Sequence, residues 1–171
     1  KGTIATNHQA NDGRALCHWG DAGWGSLVQD GKYSDGHFSD DLVKACIRMI
    51  EQWNPDPTPT WVTTVPSLNH PLLVPDFANR LALALGLPFH PVVAQTFERP
   101  EQKTMENSSF QAGNIHGSLS LNTASVPTGP VFLVDDMVDS GWTMTITAWL
   151  LRSNGSGPVW PLALASAGSG Q

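Results

Sequence analysis

The sequence predicts an α/β fold in which helices cover both faces of a mostly parallel central sheet. Short apolar or β-branched segments at residues 60–65, 87–94, 131–134 and 159–165 have the length of buried strands. Between them lie segments with apolar residues at helical spacing and one long polar segment. A chain that alternates in this way builds parallel strands joined by right-handed crossovers. Its 171 residues suffice for one domain with a well-buried core.

The first half of the chain supplies a helix, then a strand and a second helix. Residues 39–53 carry apolar side chains at helical spacing, and Cys46 is among them. We therefore expect a helix with Cys46 as a reduced core residue. The β-branched segment 60–65 follows as a strand. The second helix is predicted to open at Pro75 and to stop at Gly86, because proline suits the first helical turn and glycine the position after the last.

The second half contains three further predicted strands and one helix. Residues 87–94 are predicted as a strand, whereas the polar segment 96–118 shows no periodicity. Residues 131–134 are apolar and lie between Gly-Pro and a pair of carboxylates, which is typical of a central strand buried on both faces. A helix follows, and an Asn-Gly-Ser-Gly break separates it from a final strand at residues 159–165.

An acidic pair and a glycine turn follow the strand at 131–134. Asp135 and Asp136 stand at its predicted carboxyl end, where parallel sheets present ligand-binding groups. Adjacent carboxylates there can accept hydrogen bonds from the vicinal hydroxyls of a ribose. The turn then leads into a helix, so backbone N–H groups and the helix dipole converge as they do on a bound phosphate. The residues of this predicted phosphate loop are Asp139, Ser140, Gly141, Trp142 and Thr143.

The same residues also have a purely structural interpretation. The acidic pair would then begin a surface turn, and Ser140 would only cap the following helix. The direct succession of strand, acidic pair and Ser-Gly-x-Thr loop favours the ligand site, with the hydroxyls of Ser140 and Thr143 as additional phosphate donors. The segment lacks both the glycine spacing of the dinucleotide motif and the Gly-Lys-Ser/Thr of the P-loop.

Residues 131–143, V-F-L-V-D-D-M-V-D-S-G-W-T, resemble the phosphoribosyl pyrophosphate (PRPP) motif of type I phosphoribosyltransferases. They depart from it at Phe132, where the family carries an aliphatic residue, and at Trp142, where the family carries a small or basic residue. The resemblance implies the type I phosphoribosyltransferase fold. It also implies that the acidic pair holds the ribose hydroxyls and that the following loop holds the 5′-phosphate.

The resemblance implies further roles. The flexible loop of the family would bring Arg99 or Lys103 to the pyrophosphate, unless these are ordinary solvated residues. Asp139 would be a general base for the incoming ring nitrogen, which requires partial burial, or else a simple cap of the loop. The implied cofactor is Mg²⁺, which Asp135 and Asp136 would hold indirectly, through ribose hydroxyls or water. The implied pyrophosphate loop comprises Pro66, Ser67, Leu68, Asn69 and His70.

Longer stretches resemble particular branches of this family. V-P-S-L-N-H-P-L-L-V-P-D-F-A-N-R-L-A at residues 65–82, Asn-Ile-His-Gly at 114–117 and the 131–143 segment look like a ComF-type phosphoribosyltransferase. Residues 13–53, with Q-K-T-M-E-N-S farther on, resemble the phosphoribosyltransferase-like domain at the carboxyl end of some bacterial RecQ-type ATP-dependent DNA helicases.

These resemblances predict the domain organisation. Residues 1–171 form one domain excised from a larger chain, with an N-terminal hood or helical part at 1–57 and an α/β core at 58–171. The net charge is −6, and the nine lysines and arginines are scattered rather than forming a stripe that binds a phosphate backbone. No P-loop occurs. The helicase machinery would lie in the N-terminal portion of the parent, and this fragment is expected not to bind nucleic acid.

Composition narrows the setting. We find no membrane-length apolar stretch and no signal peptide, and the two cysteines form neither a disulfide framework nor a zinc set, so a soluble, cytoplasmic protein is expected. Only 14% of the residues are charged, and seven are tryptophans. The tryptophans therefore either lie in the core or form a docking face for the parent or for a second copy, as in a homodimer. Trp19 and Trp24 are the predicted exposed candidates.

Three classes of function stay open. The chain is a magnesium-dependent transferase acting at C1 of PRPP, a sensor of PRPP or a nucleotide monophosphate, or an interaction or regulatory module with a vestigial site. We favour a ligand-binding phosphoribosyltransferase-fold domain of a RecQ-like helicase. The phosphate loop is complete, whereas no segment for recognising an acceptor base can be identified.

Overall fold

A four-stranded parallel sheet forms the centre of the molecule. The computed structural model describes residues 3–95, 119–122 and 124–167. The sheet has the order β1-β6-β5-β2. A separate antiparallel pair consists of β3 and β4. The strands are β1 (Arg14–His18), β2 (Trp61–Thr64), β3 (Val93–Gln95), β4 (Leu119–Leu121), β5 (Val131–Val138) and β6 (Val159–Ser166).

Helices cover both faces of this sheet, as predicted. α2 and α3 pack with Phe132 and Val134 of β5 in one core, and α4 packs with Val131 and Leu133 in the other. This division follows from the alternation of side chains along a strand. The helices are α1 (Trp24–Asp30), α2 (Asp40–Trp53), α3 (Leu73–Leu85) and α4 (Trp142–Ser153), with a 3-10 turn (Thr6–His8) and a π-helical turn (Gly31–Asp35). No helix in the described ranges is long and apolar enough to cross a membrane.

Two helices lie close to their predicted bounds. α2 follows Ser39 and buries Cys46 completely, as predicted, and this burial raises the pKa of the Cys46 thiol to about 12. α3 begins two residues before the predicted Pro75, at Leu73, and ends before Gly86. Gly86 has a φ of 71°, a left-handed conformation that glycine adopts readily after a helix.

The segment 87–94 is not one strand, contrary to the prediction. Phe89 forms a single parallel bridge to Val62 of β2. Pro88 and Pro91 flank this bridge and lack the backbone N–H that a continuing ladder needs. The chain therefore leaves the main sheet after the bridge, and β3 pairs with β4 instead.

Residues 1–57, predicted as a hood or helical part, contribute a strand to the main sheet. β1 pairs in parallel with β6, with Arg14 opposite Leu162 and His18 opposite Ser166. The sheet therefore extends into the N-terminal part of the chain, and its carboxyl edge includes the end of β1.

The exposed tryptophans are not the predicted ones. Trp19 and Trp24 are half-buried against the core, and the ring of Trp19 meets Tyr33 edge-on with 5.9 Å between centroids. The tryptophans that are exposed are Trp142 (45%) and Trp149 (42%), both on α4. The prediction failed because the glycines around Trp19 and Trp24 suggested an open loop, whereas α1 and the π-helical turn pack that segment inward.

Candidate functional site

The acidic pair lies within β5 and not after it. The strand was predicted to end at Val134, but it continues to Val138 because its last residues still pair with β6. Asp135 and Asp136 are therefore held on regular strand backbone near the carboxyl edge of the sheet. Successive strand side chains point to opposite faces, so the two carboxylates reach different surroundings.

Asp136 forms an ion pair that the sequence did not reveal. Its Oδ2 lies 2.9 Å from Nζ of Lys32, and each of the two side chains is only 14% exposed. Lys32 lies in the π-helical turn, far from the acidic pair in the chain, and nothing in its sequence surroundings connects it with a ligand site. The Lys32 ammonium also lies 5.8 Å from the centroid of the Tyr33 ring, within the range of a cation–π contact.

The π-helical turn that carries Lys32 is closely packed. The carbonyl of Gly31 accepts hydrogen bonds from the N–H groups of Gly36 and His37. A Cβ atom at Gly31 would lie 2.6 Å from Cδ1 of Phe38, which is completely buried. Glycine is therefore required at this position, and the backbone next to Lys32 has little freedom to shift.

Arg80 of α3 ties the end of this segment to two helices. Its guanidinium donates to Asp76 of α3 and to Asp40 of α2, each at 2.8 Å, and to the carbonyl oxygen of Phe38. His37 Nε2 lies 3.6 Å from Oδ2 of Asp76. These contacts join the two helix starts to the chain that follows Lys32, so they help to fix the position of the lysine.

Asp135 has an altered protonation equilibrium. Burial raises the pKa of its carboxyl well above the usual range, and the neighbouring charge of Asp136 raises it further. The N–H of Asp136, which donates to Oδ1 of Asp135 at 2.8 Å, and the Lys32 ammonium both act in the opposite direction. Asp135 therefore retains a proton at a pH at which an exposed carboxyl has lost it, and in that form it can donate a hydrogen bond as well as accept one.

The predicted phosphate loop leads into α4 as expected. Gly141 precedes the first helical residue with a φ of 75°, so the turn needs a left-handed residue here. The loop and Asp135 line one cleft of about 140 Å³. The first N–H groups of a helix have no partner within it. That of Trp142 donates to Oγ of Ser140, whereas those of Thr143 and Met144 can bind an anion at the start of α4. The residues that line the cleft are Asp135, Met137, Val138, Asp139, Ser140, Gly141, Trp142, Thr143 and Met144.

The structure bears on the predicted roles of two loop side chains, Ser140 and Asp139. The hydroxyl of Ser140 accepts a hydrogen bond from the N–H of Trp142 at 3.3 Å, although Gly141 and not Ser140 occupies the N-cap position of α4. Asp139 is exposed. The partial burial that a general base requires is not present, and its assignment as a base stays a prediction.

The predicted pyrophosphate loop lies beside the acidic pair. The N–H of Val65 donates to the carbonyl of Val134 at 3.0 Å, so residues 66–70 leave the sheet next to Asp135. The N–H of His70 donates to Oγ of Ser67 at 3.2 Å and closes a turn within this loop. Pro66 and Ser67 are half-buried, whereas Leu68 and Asn69 are exposed.

Two predicted site residues cannot be placed. Arg99 and Lys103, assigned to the flexible loop by the family resemblance, lie outside the described residues, as does the ComF-like segment 114–117. The structure thus brings together the acidic pair, the predicted phosphate loop and the predicted pyrophosphate loop, and it adds Lys32 to them.

The surroundings of the two carboxylates decide whether the acidic pair can bind Mg²⁺ directly. Among the described residues, no three metal-binding side chains form a cluster. Asp136 is already neutralised by the Lys32 ammonium, and an ammonium at 2.9 Å opposes a cation on the same carboxylate. The arrangement does not fit Mg²⁺ bound directly by the acidic pair. The indirect contact through ribose hydroxyls or water stays a prediction.

Solved phosphoribosyltransferases share this architecture. One adenine phosphoribosyltransferase matches with a TM-score of 0.50 and 17% identity, over 75% of this chain and 78% of that one. The Saccharomyces cerevisiae adenine phosphoribosyltransferase, solved with D-2,5-dideoxy-2,5-imino-altritol 1,6-bisphosphate and adenine, matches with a TM-score of 0.50 and 20% identity, over 73% of this chain and 68% of that one. An orotate phosphoribosyltransferase from Aeropyrum pernix is 25% identical, with a TM-score of 0.46, over 82% and 63%.

The comparisons establish the fold. The chain has the α/β architecture of the type I phosphoribosyltransferases, and the predicted fold class is confirmed. No protein-family model and no curated protein sequence matches the chain. Function therefore has to be argued from the site itself.

Proposed function

We propose that this domain binds a ribose 5-phosphate compound, either PRPP or a nucleotide monophosphate. The ribose hydroxyls bind to Asp135 and Asp136, and the 5′-phosphate binds to the loop at residues 139–143. The observation that carries the proposal is that Asp135 and this loop line one cleft at the carboxyl edge of a parallel sheet.

The two ends of the cleft suit the two ends of such a ligand. The α4 start offers backbone N–H groups and the positive end of the helix dipole to a phosphate. Gly141 has no side chain, and nothing lies within 4 Å of the position where its Cβ would be, so a phosphate can approach the backbone there. Hydroxyl groups suit the acidic pair, because carboxylates accept strong hydrogen bonds from them.

A pyrophosphate at C1 of the ribose would extend toward residues 66–70. Mg²⁺ would supply charge neutralisation of the diphosphate, and the acidic pair would hold it indirectly, through ribose hydroxyls or water. The chain itself orients the ribose with the two carboxylates and offers the loop backbone to the pyrophosphate. The fold neighbour solved with a sugar bisphosphate and adenine supports a ligand with phosphates at both ends of a ring.

Binding is better supported than transfer. Displacement at C1 needs a positioned acceptor, and a ring-nitrogen acceptor also needs a base. Asp139 is exposed, and no base-recognition segment is identifiable. We therefore propose a ligand-binding or sensing domain. A phosphoribosyltransferase reaction is the second candidate, because the acidic pair, the predicted phosphate loop and the predicted pyrophosphate loop are present in the sequence.

We also propose that the domain is the C-terminal part of a RecQ-like ATP-dependent DNA helicase of the cytoplasm. The resemblance of residues 13–53 to helicase-associated domains and the ComF-like stretch at 65–82 support this assignment. Cys17 and Cys46 are unbridged, which is compatible with a reducing compartment. Trp142 and Trp149 are exposed on α4. They offer a surface for the predicted docking to the N-terminal helicase portion or to a second copy.

Calorimetric titration with PRPP and magnesium tests the binding proposal. Asp135→Asn combined with Asp136→Asn should weaken PRPP binding by roughly several-fold to a hundredfold, since hydrogen bonds to charged groups contribute about 1.5–3 kcal/mol each. Asp41→Asn, at an exposed position of α2, is the matched control and should change nothing. Equal affinity in the double variant and the control would remove the ribose assignment.

A further inference from the structure

Lys32 neutralises one carboxylate of the acidic pair from inside the protein. Its Nζ lies 2.9 Å from Oδ2 of Asp136, and both side chains are 86% shielded, with 14% exposed. Charges removed from water to this degree require a partner, because each alone carries a large desolvation penalty. An acidic pair without Lys32 would need a proton or a bound cation in its place.

Each carboxylate of the acidic pair already has a contact within the protein. Lys32 uses Oδ2 of Asp136, and the N–H of Asp136 uses Oδ1 of Asp135 at 2.8 Å. Hydrogen bonding between the two carboxyl groups also links them directly. Asp135 lines the cleft with the loop at residues 139–143 and can accept a ribose hydroxyl there, and the charge of Lys32 reaches this carboxyl through Asp136 on the other face of β5.

Lys32 is also held in place before any ligand binds. The π-helical turn is closed by two hydrogen bonds to the carbonyl of Gly31, and Gly31 packs against the buried ring of Phe38. Arg80 then fixes the carbonyl of Phe38 to α2 and α3. The backbone of Lys32 is therefore fixed, and its side chain is only 14% exposed, so the contact with Asp136 costs less entropy than one made by a solvated lysine.

We propose that Lys32 is the resident counter-ion of the ribose site, so that the domain binds ribose 5-monophosphates without any divalent cation at the acidic pair. This inference rests on the proposed function and specifies its ligand class as ribose 5-phosphate and nucleoside 5′-monophosphates. Their single phosphate is bound by the α4 start, and their diol by the acidic pair. Magnesium then enters the site only together with a diphosphate. Lys32 is a positioning residue, because it acts on the ligand through Asp136.

Titration with ribose 5-phosphate, in chelator and then in excess magnesium, tests this inference. The unmodified domain should bind equally well in both conditions. Lys32→Met should lose roughly tenfold to a hundredfold in affinity in chelator and recover part of it in magnesium, since a metal can then occupy the vacated position. Lys32→Arg keeps the charge and should remain independent of magnesium. Lys44→Met, at an exposed position of α2, is the control and should behave as the unmodified domain does.

Direct metal binding supplies a second readout. Titration with Mn²⁺ in the absence of sugar, followed by electron paramagnetic resonance, should show binding by Lys32→Met that is absent in the unmodified domain and in Lys44→Met. A merely structural role of Lys32 would lower thermal stability without creating a metal site. Thermal unfolding followed by circular dichroism identifies any variant that has not folded, and the magnesium comparison on the unmodified domain needs no variant.

These titrations distinguish a failure of the role of Lys32 from a failure of the proposed ribose site. If the unmodified domain binds ribose 5-phosphate only with magnesium, or if Lys32→Met keeps full affinity in chelator, Lys32 is not the counter-ion and the inference is overturned while the ribose site stands. If the unmodified domain binds neither ribose 5-phosphate nor PRPP in any condition, the proposed function itself fails, and the inference fails with it.

Discussion

The backbone N–H of Val65 donates a hydrogen bond to the carbonyl oxygen of Val134 at 3.0 Å, and this bond aligns the ends of β2 and β5. Asp135 follows Val134 directly, and the loop at residues 66–70 follows Val65. Two segments that are distant in the chain therefore leave the sheet side by side. Under the proposed function, this alignment would let one ligand place its ribose on the acidic pair and its pyrophosphate on the neighbouring loop.

Gly141→Val should abolish binding of ribose 5-phosphate. A valine side chain obstructs the phosphate, and it also strains a backbone whose φ is 75°, at a cost of about 1–2 kcal/mol in stability. Ser140→Ala should have a smaller effect, about 1 kcal/mol, as the loss of one hydroxyl among several backbone donors. Calorimetry measures both effects.

Gly86→Val is the matched control for this substitution. Gly86 has a φ of 71°, and, as at Gly141, nothing lies within 4 Å of its Cβ position. It follows α3, away from the phosphate loop. The two valine variants should lose similar stability, but only Gly141→Val should lose the ligand. Equal binding by both variants would show that the loop does not hold the phosphate.

Asp135→Asn should raise the stability of the domain at neutral pH. The pKa of Asp135 is raised in the folded protein, so the folded state binds its proton more tightly than the unfolded state does. Stability is therefore lost as the pH rises from the ordinary carboxyl pKa of 3.8 through the raised value. Asparagine does not titrate, so its advantage should grow over that pH range and vanish below it. Urea unfolding at a series of pH values measures this difference.

Asp41→Asn provides the comparison for the pH series. Asp41 is exposed on α2, so its substitution is the control for replacing an aspartate outside the acidic pair. An Asp135→Asn variant that is less stable than the unmodified domain at neutral pH would contradict the assigned cause, namely burial of a carboxylate beside a second one.

Asp139→Asn distinguishes a transferase from a sensor. If the domain transfers a phosphoribosyl group, pyrophosphate release with some acceptor base should fall more in this variant than PRPP affinity does, because a base acts in the transition state. If the domain is a sensor, PRPP binds and no pyrophosphate is released by the unmodified domain. A pyrophosphate-release assay together with calorimetry gives both quantities. Equal losses in both would show that Asp139 only shapes the loop.

Residues 1–171 by themselves should neither hydrolyse ATP nor retain DNA at physiological salt. The net charge is −6, and only nine lysines and arginines are present, so the electrostatic contribution that holds a phosphate backbone is missing. An ATPase assay and a mobility-shift assay with single-stranded and duplex DNA test this prediction. Salt-sensitive DNA binding at about micromolar concentration would overturn the assignment of DNA contact to the parent's N-terminal portion.

Arg80→Met should destabilise the domain by about 1–2 kcal/mol and weaken binding of ribose 5-phosphate. Arg80 contacts Asp76, Asp40 and the carbonyl of Phe38, and the magnitude is limited because Asp40 is largely exposed. Its loss should loosen the segment that positions Lys32. Arg48→Met, an exposed substitution on α2, is the control for removing an arginine. Chemical denaturation and calorimetry measure the two effects, and unchanged ligand affinity would show that Lys32 is positioned without Arg80.

Local patterns accounted for most of the elements. The apolar segment at 131–134, the final strand and the helix over α2 were predictable because strand and helix periodicities appear directly in the order of the residues. The 87–94 segment was mispredicted because its apolar composition suggested a strand, whereas the backbone of Pro88 and Pro91 prevents a continuous ladder. The end of β5 was misplaced because the carboxylates suggested a turn after Val134. In the structure the last residues of β5, Asp135 among them, still pair with β6 at the carboxyl end of the strand.

The sequence by itself determined the fold class and the order of acidic pair and glycine turn, since both depend on neighbouring residues. Only the tertiary structure decided which charge faces the acidic pair. Lys32 and Asp136 meet because the π-helical turn, α2 and α3 pack against one face of the sheet. Such an ion pair depends on the packing of distant segments, and no local spacing encodes it. Tertiary packing also left Trp19 half-buried and Trp142 exposed, since burial is a property of the assembled layers and not of the residue's neighbours in the chain.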